Sequence, residues 1–174
     1  MKKNEVIIGK NLHIGKISND LNLSNVLSVK IKKTHPDAII PKYAKQGDAA
    51  VDLYSVSSHI EKTGEMNYDA NIVYDTGLSI EIPVGYVGLI FPRSSVSKYN
   101  IWLRNAVGVI DSGYRGNIML KYGYYNGITD NSYEVGDRIG QLMILPYPTI
   151  KFEQVDELST TDRGIGGFGS TGEK

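Results

Sequence analysis

The feature that most constrains this chain is a series of short apolar segments, separated by glycine and proline, with no long helical period between them. Apolar and polar side chains alternate over Leu27–Ile31 and again over Leu78–Ile82, which is the pattern of half-buried strands. Glycine and proline between such segments are typical of tight connections. The sequence therefore predicts an all-β fold, built as a sandwich or a barrel.

Further strands are predicted along the chain, and two segments do not fit the strand pattern. The additional predicted strands are Ala49–Ser55, Tyr86–Phe91, Val107–Ile110, Asn117–Tyr125 and an apolar run within Gly136–Pro146. We expect Pro83–Gly85 to be a hairpin-like connection, and Ser112–Gly113 to be a tight turn with positive φ at Gly113, joining two strands of a central hairpin. Ser97–Asn105 is the only candidate for a short helix, whereas His59–Asp75 has little pattern and is expected to be loose.

Length and composition are those of one globular domain with a sizeable core. The chain has 174 residues, 41% hydrophobic and 22% charged, and its 19 basic and 19 acidic side chains cancel. Without a net charge we expect no nucleic-acid or membrane partner, and an anionic substrate would need locally placed arginines. There is no cysteine, and the early apolar run Val6–Ile8 is too short for a signal or membrane segment. We therefore expect a cytoplasmic protein, or one in the host cytoplasm for a viral source.

The stretch Val107–Gly116, with the sequence VGVIDSGYRG, is predicted to join the end of a buried strand to a charged turn. Asp111 then stands where the strand meets the turn, and Tyr114 follows on the return side. A carboxylate on a rigid strand end beside an aromatic ring suits a base next to a flat ligand. Two simpler interpretations stay open: Asp111 satisfies turn amides, and Tyr114 packs in the core like other tyrosines.

The C-terminal stretch Arg163–Gly172 is rich in glycine, yet it contains one arginine and one phenylalanine. Successive glycines let backbone N–H groups form an anion-binding nest, and Ser170 and Thr171 add hydroxyl donors. Phe168 offers a ring face to a nucleobase, while the guanidinium of Arg163 suits phosphate. The alternative is a frayed terminus, because such a segment buries too little apolar surface to order itself.

Five segments in order resemble the motifs of the trimeric dUTP pyrophosphatase (dUTPase) family. They are Ala49–Ser55, Pro92–Ser97, Val107–Gly116, Gly136–Pro146 and Arg163–Gly172. The resemblance implies a distorted jelly-roll β-barrel over residues 26–158, a flexible arm over residues 159–174 that closes the active site, and a homotrimer whose subunits share active sites. Residues 1–25 form a polar extension outside it. Two positions depart from the family: Val51 replaces the usual aromatic residue, and Gly113 stands where a second acidic residue is common.

The resemblance also implies roles for individual residues. Asp111 would be the catalytic base that activates water against the α-phosphorus, and Tyr114 would read the deoxyribose by leaving no room for a 2′-hydroxyl. Mg²⁺ is implied, held mainly by substrate phosphates, with Asp52 reaching it through water. Arg138 is expected to brace the barrel outside the site. The other expected substrate-binding residues are Arg93, Ser94, Ser95, Asn105, Gly108, Val109, Ile110, Gln141, Arg163, Phe168, Gly169, Ser170 and Thr171.

The implied activity is hydrolysis of dUTP to dUMP and pyrophosphate, which limits uracil in DNA and supplies dUMP for dTTP synthesis. One alternative is a dCTP deaminase, including a bifunctional one; that related family places a catalytic glutamate where this chain has Arg115, and it lacks the Phe-bearing tail. Both differences favour dUTPase. Another alternative is a phage-type dUTPase that also binds a regulatory protein partner, through residues 1–25 or His59–Asp75.

Overall fold

The computed structural model describes residues 26–62, 70–125, 127–129 and 131–167. This part of the chain contains ten strands and a short 3₁₀ helix, Ser94–Lys98, so the predicted all-β fold is confirmed. The strands are β1 (Lys30–Lys33), β2 (Val51–Tyr54), β3 (Ser57–Lys62), β4 (Ala70–Asp75), β5 (Leu78–Glu81), β6 (Tyr86–Phe91), β7 (Ile101–Leu103), β8 (Gly108–Ile110), β9 (Met119–Tyr124) and β10 (Arg138–Pro146). No helix of the described residues is long and apolar enough to cross a lipid bilayer.

The strands form two four-stranded antiparallel sheets and a two-stranded ribbon of β1 and β5. One sheet has the order β2-β10-β6-β8 and the other the order β3-β4-β9-β7. A single core cluster contains buried side chains from both sheets, such as Leu53 and Leu142 from the first and Leu120 from the second. The Tyr122 hydroxyl of β9 also donates a hydrogen bond to the carbonyl of Ile139 in β10. The two sheets therefore enclose one core between them.

The segment His59–Asp75 is more regular than its sequence suggests, so the expectation of a loose stretch is wrong for its described residues. Strands β3 and β4 pair in register from Ser57 opposite Asp75 to Lys62 opposite Ala70. Five successive residues of β4, Ala70–Tyr74, are buried. A strand buried on both faces has no polar–apolar alternation, which is why the sequence pattern did not indicate it.

The predicted short helix over Ser97–Asn105 is also wrong. The 3₁₀ helix lies earlier, at Ser94–Lys98, and the rest of the segment contains strand β7. Ile101 and Leu103 of β7 point into the core, and the strand pairs with β9. β-Branched and aromatic residues favour this extended form over a helix.

Two connections predicted as hairpins join different sheets instead. Strand β5 pairs with β1, whereas β6 pairs with β10 and β8. Similarly, β8 pairs with β6, whereas β9 pairs with β4 and β7. The turn at Ser112–Gly113 is present, closed by a hydrogen bond from the Tyr114 N–H to the Asp111 carbonyl (3.1 Å), but Gly113 has no positive φ. Side-chain alternation identifies a strand but not its partner, so these pairings were not readable from the sequence.

Strand β8 is present where predicted, but the valine side chains in it and just before it are not buried. Val107 is 36% and Val109 61% exposed, whereas Gly108 is buried. The reason is position: β8 is an edge strand that pairs only with β6. Regular strands end at Pro146, and residues 147–167 contain none. The boundary between barrel and arm at residue 159 stays a prediction.

Candidate active site

A partly buried carboxylate on β2 organises the first half of the site. Asp52 accepts hydrogen bonds from Arg93 Nε (3.1 Å) and Gln141 Nε2 (3.3 Å) at one oxygen, and from Arg138 Nη1 (3.1 Å) at the other. Its side chain is only 14% exposed. Two guanidinium groups around one carboxylate leave a net positive charge, so this cluster can attract an anion.

Strand register brings these residues together from distant parts of the sequence. Asp52 lies directly opposite Gln141 in the β2–β10 pair, and Gln141 lies opposite Phe91, two residues before Arg93. The β2–β10 register shifts between Arg138 and Gly140. In a regular strand, residues 138 and 141 would point to opposite faces, because their spacing is odd. The bulge adds one residue and allows both side chains to reach Asp52.

Arg138 is therefore part of the cluster, although it was expected to brace the barrel outside the site. The sequence does contain a usable signal, since Arg138 and Gln141 stand near the start of the same strand. Only the bulge, which alternation does not predict, turns Arg138 toward Asp52.

The 3₁₀ helix Ser94–Lys98 presents hydroxyl groups beside the cluster. Arg93 Nη1 donates to Ser95 Oγ (3.3 Å), and Ser94 is exposed. A cavity of about 430 Å³ lies next to Asp52 and Gln141, and its remaining wall is formed by Ala44, Lys45, Asp48, Ala49 and Ala50. The structure thus brings together the sequence-predicted residues Asp52, Arg93, Ser95 and Gln141.

The second half of the site lies around β8. A cavity of about 280 Å³ is lined by the expected residues Asn105, Gly108, Val109 and Ile110, among others. A neighbouring cavity of about 230 Å³ is lined by Val109, Ile110, Asp111, Tyr114, Asn117 and Met119. The two cavities share Val109, Ile110 and Met119 and therefore adjoin. Together they are called the recess, which is mainly apolar with a few polar groups, as is usual for small-molecule sites.

Two glycines keep this recess open by allowing close approach. A Cβ atom at Gly108 would lie 3.1 Å from Ile90 Cβ and 3.5 Å from Asn105 Nδ2. A Cβ atom at Gly116 would collide with the hydroxyl of Tyr114. The Tyr114 hydroxyl donates to the carbonyl of Asn117 (3.0 Å), which fixes the ring at the mouth of the recess with 40% of the residue exposed.

Asp111 stands at this mouth with its carboxylate unengaged. Among the described residues, no hydrogen bond or ion pair to the Asp111 side chain is formed, and only its backbone carbonyl takes part in the turn. The simpler interpretation, that Asp111 satisfies turn amides, therefore does not describe this structure. An exposed, unpaired carboxylate can accept a proton from water.

The two halves are far apart within one chain. Asp52 lies on β2 and Asp111 directly follows β8, and these are the opposite edges of one sheet. Three inter-strand spacings separate the two edges, or about 14 Å. The cavity beside Asp52 and the recess around β8 have no residue in common.

The tail residues are only partly described. Arg163 is exposed and its Nε donates to the carbonyl of Gly166 (3.2 Å). Among the described residues, no hydrogen bond or ion pair joins its side chain to either half of the site. The expected residues Phe168, Gly169, Ser170 and Thr171 lie outside the described part of the chain. Within that part, no three His, Cys, Asp or Glu side chains are grouped so that they could hold a metal ion.

The fold and the two halves define a β-sheet protein with an arginine-lined cluster at one sheet edge and a mainly apolar recess at the other. A model of the dUTPase family matches residues 36–172. The chain belongs to the dUTPase family, which confirms the resemblance carried by the five motifs.

Named relatives and solved structures support the same family membership. The chain is 39% identical to the deoxyuridine 5'-triphosphate nucleotidohydrolase of Clostridium acetobutylicum over 150 residues, which cover 86% of this chain and 99% of that protein. It is 42% identical to the enzyme of the same name from Escherichia phage T5, over 84% of this chain and 99% of the relative.

Among solved structures, the dUTPase of Staphylococcus bacteriophage 80alpha with dUpNHpp has a TM-score of 0.69 and 29% identity, covering 84% of this chain and 99% of that one. A mutant dUTPase from phage phi11 of S. aureus, in which a structural Mg(II) ion is coordinated, has a TM-score of 0.60 and 26% identity, covering 75% and 98%. These likenesses confirm the dUTPase-like jelly-roll fold.

Proposed function

We propose that this chain is a dUTP diphosphatase, which hydrolyses dUTP to dUMP and pyrophosphate. The observation that carries the proposal is the unengaged Asp111 carboxylate at the mouth of a recess that contains Tyr114 and Asn105. The activity would remove a precursor of uracil in DNA and supply dUMP for dTTP synthesis. The family membership and the names of the relatives support the same activity.

The recess around β8 would hold the deoxyuridine part of the substrate. The Asn105 amide can donate and accept at once, which suits the edge of uracil, and Gly108, Val109 and Ile110 supply backbone and apolar contacts. The ring of Tyr114 would lie against the deoxyribose and exclude a 2′-hydroxyl. Its fixed position, from the bond to the Asn117 carbonyl, supports such a steric role.

The cluster around Asp52 would hold the phosphates. Arg93, Ser94, Ser95 and Gln141 supply the donors, and we now add Arg138 to this set. Arg163 and residues 168–171 of the tail would add further phosphate donors, with Phe168 over the base. Each part of the substrate would then meet the type of side chain that its chemistry requires.

Mg²⁺ fits this donor set as an ion carried by the substrate. The described residues offer no cage of three ligating side chains, and Mg²⁺ prefers phosphate oxygens and water to such a cage. The ion would neutralise charge on the phosphates. Asp52, whose oxygens already accept from two arginines and Gln141, would reach it through water and keep those donors aligned.

In the reaction, Asp111 would accept a proton from a water molecule as the water oxygen attacks the α-phosphorus. The new P–O bond forms opposite the bond to the bridging oxygen of the β-phosphate, which breaks, and the electron pair leaves with pyrophosphate. The arginines would stabilise the charge on the leaving group, and such positioning supplies most of the rate in phosphoryl transfer.

The active form would be a homotrimer in which different subunits supply the two halves of each site. The separation of about 14 Å between the strands that carry Asp52 and Asp111 supports this, because one α-phosphate cannot contact both carboxylates at once in a single chain. Exposed apolar residues support it as well: Phe152, Leu158 and Ile165 are 86–106% exposed in a segment without regular structure. A neighbouring subunit that covered these side chains would remove their apolar surface from water.

The direct test is an assay of all common ribo- and deoxyribonucleoside triphosphates with detection of pyrophosphate and ammonia. We expect pyrophosphate and dUMP from dUTP, and no ammonia from dCTP. Ammonia release would favour the deaminase alternative. Against that alternative, Arg115 at the position of the deaminase glutamate uses its Nη1 to bind the carbonyls of Ser112 (2.6 Å) and Tyr114 (2.8 Å).

A second, compatible role is binding of a regulatory protein. The 80alpha dUTPase is described as controlling transfer of virulence genes by a G protein-like mechanism. In this chain, β3 is an edge strand with mostly exposed side chains, so it can accept another chain. The test is a binding experiment with the wild-type chain and with a variant in which His59 and Ile60 are replaced by proline. A partner protein that binds the wild type but not the variant, while the variant keeps its dUTP turnover, would support this role.

A further inference from the structure

One buried side-chain oxygen lacks a hydrogen-bond partner among the described residues: the hydroxyl of Tyr133. Tyr133 is 4% exposed and belongs to the hydrophobic core. The two buried tyrosines that pack against it are satisfied, since Tyr74 donates to the carbonyl of Tyr133 (2.7 Å) and Tyr122 to that of Ile139. An unpaired buried hydroxyl is unusual, because it has lost its water partners without replacement.

Neighbouring rings hold Tyr133 against the phosphate-binding loop. The ring centroid of Tyr99 lies 4.4 Å from that of Tyr133, and those of Tyr122 and Tyr74 lie at 5.7 and 6.1 Å. Tyr99 directly follows the 3₁₀ helix Ser94–Lys98, and its N–H donates to the Val96 carbonyl (3.0 Å). The aromatic core and the loop that carries the phosphate donors are therefore packed as one unit.

Tyr133 lies beside the segment that carries Arg93 and Ser95, since its ring packs on that of Tyr99. Burial raises the pKa of Tyr133, whereas a contact with the Ser95 hydroxyl and the positive charge of Arg93 act in the opposite direction. The contact with Ser95 is not a regular hydrogen bond, and Ser95 Oγ instead accepts from Arg93 Nη1 at 3.3 Å. A buried donor thus lies beside a serine hydroxyl whose orientation is held by an arginine.

We propose that Tyr133 is a positioning residue for the triphosphate, whose hydroxyl forms its hydrogen bond only in the substrate-bound state; the proposal rests on the proposed function. When Arg93 turns its guanidinium to a phosphate, it no longer holds the Ser95 hydroxyl, which is then free to rotate toward Tyr133. The Tyr133 hydroxyl then donates to Ser95 Oγ. A serine hydroxyl can accept one hydrogen bond while it donates another, so Ser95 is held with its own O–H directed at the phosphate.

Tyr133→Phe tests this, because it removes only the hydroxyl. We expect the thermal midpoint to stay unchanged or rise, since that hydroxyl has no partner in the free protein. Affinity for dUpNHpp should fall about five- to tenfold, whereas affinity for deoxyuridine, which has no phosphate, should not change. Ser95→Ala should show the same selective loss, and the double variant should lose no more than the larger single loss, because the two residues serve one interaction.

Tyr74→Phe is the matched control. Its hydroxyl is bonded in the free protein, so its removal should lower the thermal midpoint and leave the ratio of the two affinities unchanged. A Tyr133→Phe variant that loses stability as Tyr74→Phe does, or that binds dUpNHpp as tightly as the wild type, would overturn the proposal. Absence of dUTP binding and turnover in the wild-type protein would instead overturn the proposed function, and this proposal with it.

Discussion

At the scale of single residues, the aspartates beside turns are of two kinds. Asp48, Asp75 and Asp137 each accept a hydrogen bond from a nearby backbone N–H, at 2.8, 2.7 and 2.9 Å. They perform the usual function of aspartate in turns. The turn at Asp111 is closed without its carboxylate, through the N–H of Tyr114 and the Asp111 carbonyl. Asp111 is therefore the aspartate of this group whose side chain is available for chemistry.

Asp111→Asn should lower kcat for dUTP by about 10²–10⁴-fold, because an amide cannot accept the proton of the attacking water. Affinity for dUpNHpp should stay within about twofold, since the carboxylate makes no contact on which the fold depends. Steady-state kinetics and calorimetric titration measure the two effects. Asp156→Asn, an exposed position on the C-terminal segment, is the control and should keep full turnover. Wild-type kcat in the Asp111 variant would remove this residue from the mechanism.

The ring of Tyr114 carries a separate prediction, about sugar selectivity. Tyr114→Ala should raise kcat/KM for UTP relative to dUTP by about tenfold or more, because space opens for a 2′-hydroxyl. Tyr114→Phe should keep the selectivity, since it loses only the hydroxyl bond to the Asn117 carbonyl. Competition between the two substrates in one reaction measures the ratio directly. Equal rejection of UTP by both variants would show that the ring does not read the sugar.

At the scale of elements, the close packing of β8 on β6 shapes the nucleoside recess. Gly108→Ala places a methyl group 3.1 Å from Ile90 Cβ and 3.5 Å from the amide of Asn105. We expect a loss of about 1–3 kcal/mol in the free energy of unfolding from overpacking, together with weaker binding of deoxyuridine as Asn105 is displaced. Gly113→Ala is the control, because its new methyl group meets nothing within 4 Å. Urea unfolding and deoxyuridine titration of the two variants measure these effects. Equal losses in Gly108→Ala and Gly113→Ala would show that the close packing of β8 on β6 does not shape the recess.

The sequence predicted most strands but not their arrangement. Alternation identified β1, where Val29 and Ile31 are partly buried and Lys30 and Lys32 exposed. It did not identify β4, which is buried on both faces, or the pairing of β8 with β6. Strand partners depend on contacts between residues far apart in the chain, which local patterns do not contain.

The site was predictable to the extent that its residues stand in recognisable motifs. Asp52, Arg93 and Gln141 were expected together and do form one cluster. Arg138 was missed because a register shift in β10 turns it toward Asp52. Tyr133 was missed because an unsatisfied buried hydroxyl is a property of packing, not of sequence.

At the scale of the whole molecule, the phosphate cluster and the nucleoside recess lie at opposite edges of the sheet β2-β10-β6-β8. A single active site needs both halves within reach of one dUTP molecule. Closed rings of identical subunits bring opposite edges of one structure together at each interface. The central claim is therefore that each site combines the cluster of one subunit with the recess of another.

Mixed trimers test this claim most directly. Asp111→Asn and Arg93→Ala are each expected to be inactive alone, the first without the base and the second without a phosphate donor. Unfolded together and refolded at equal ratio, they should recover about a quarter of wild-type activity, since random assembly pairs an intact recess with an intact cluster at one interface in four. Mass spectrometry would verify that mixed trimers have formed. Verified mixed trimers without activity would contradict the account, because they would mean that both halves of each site come from one chain.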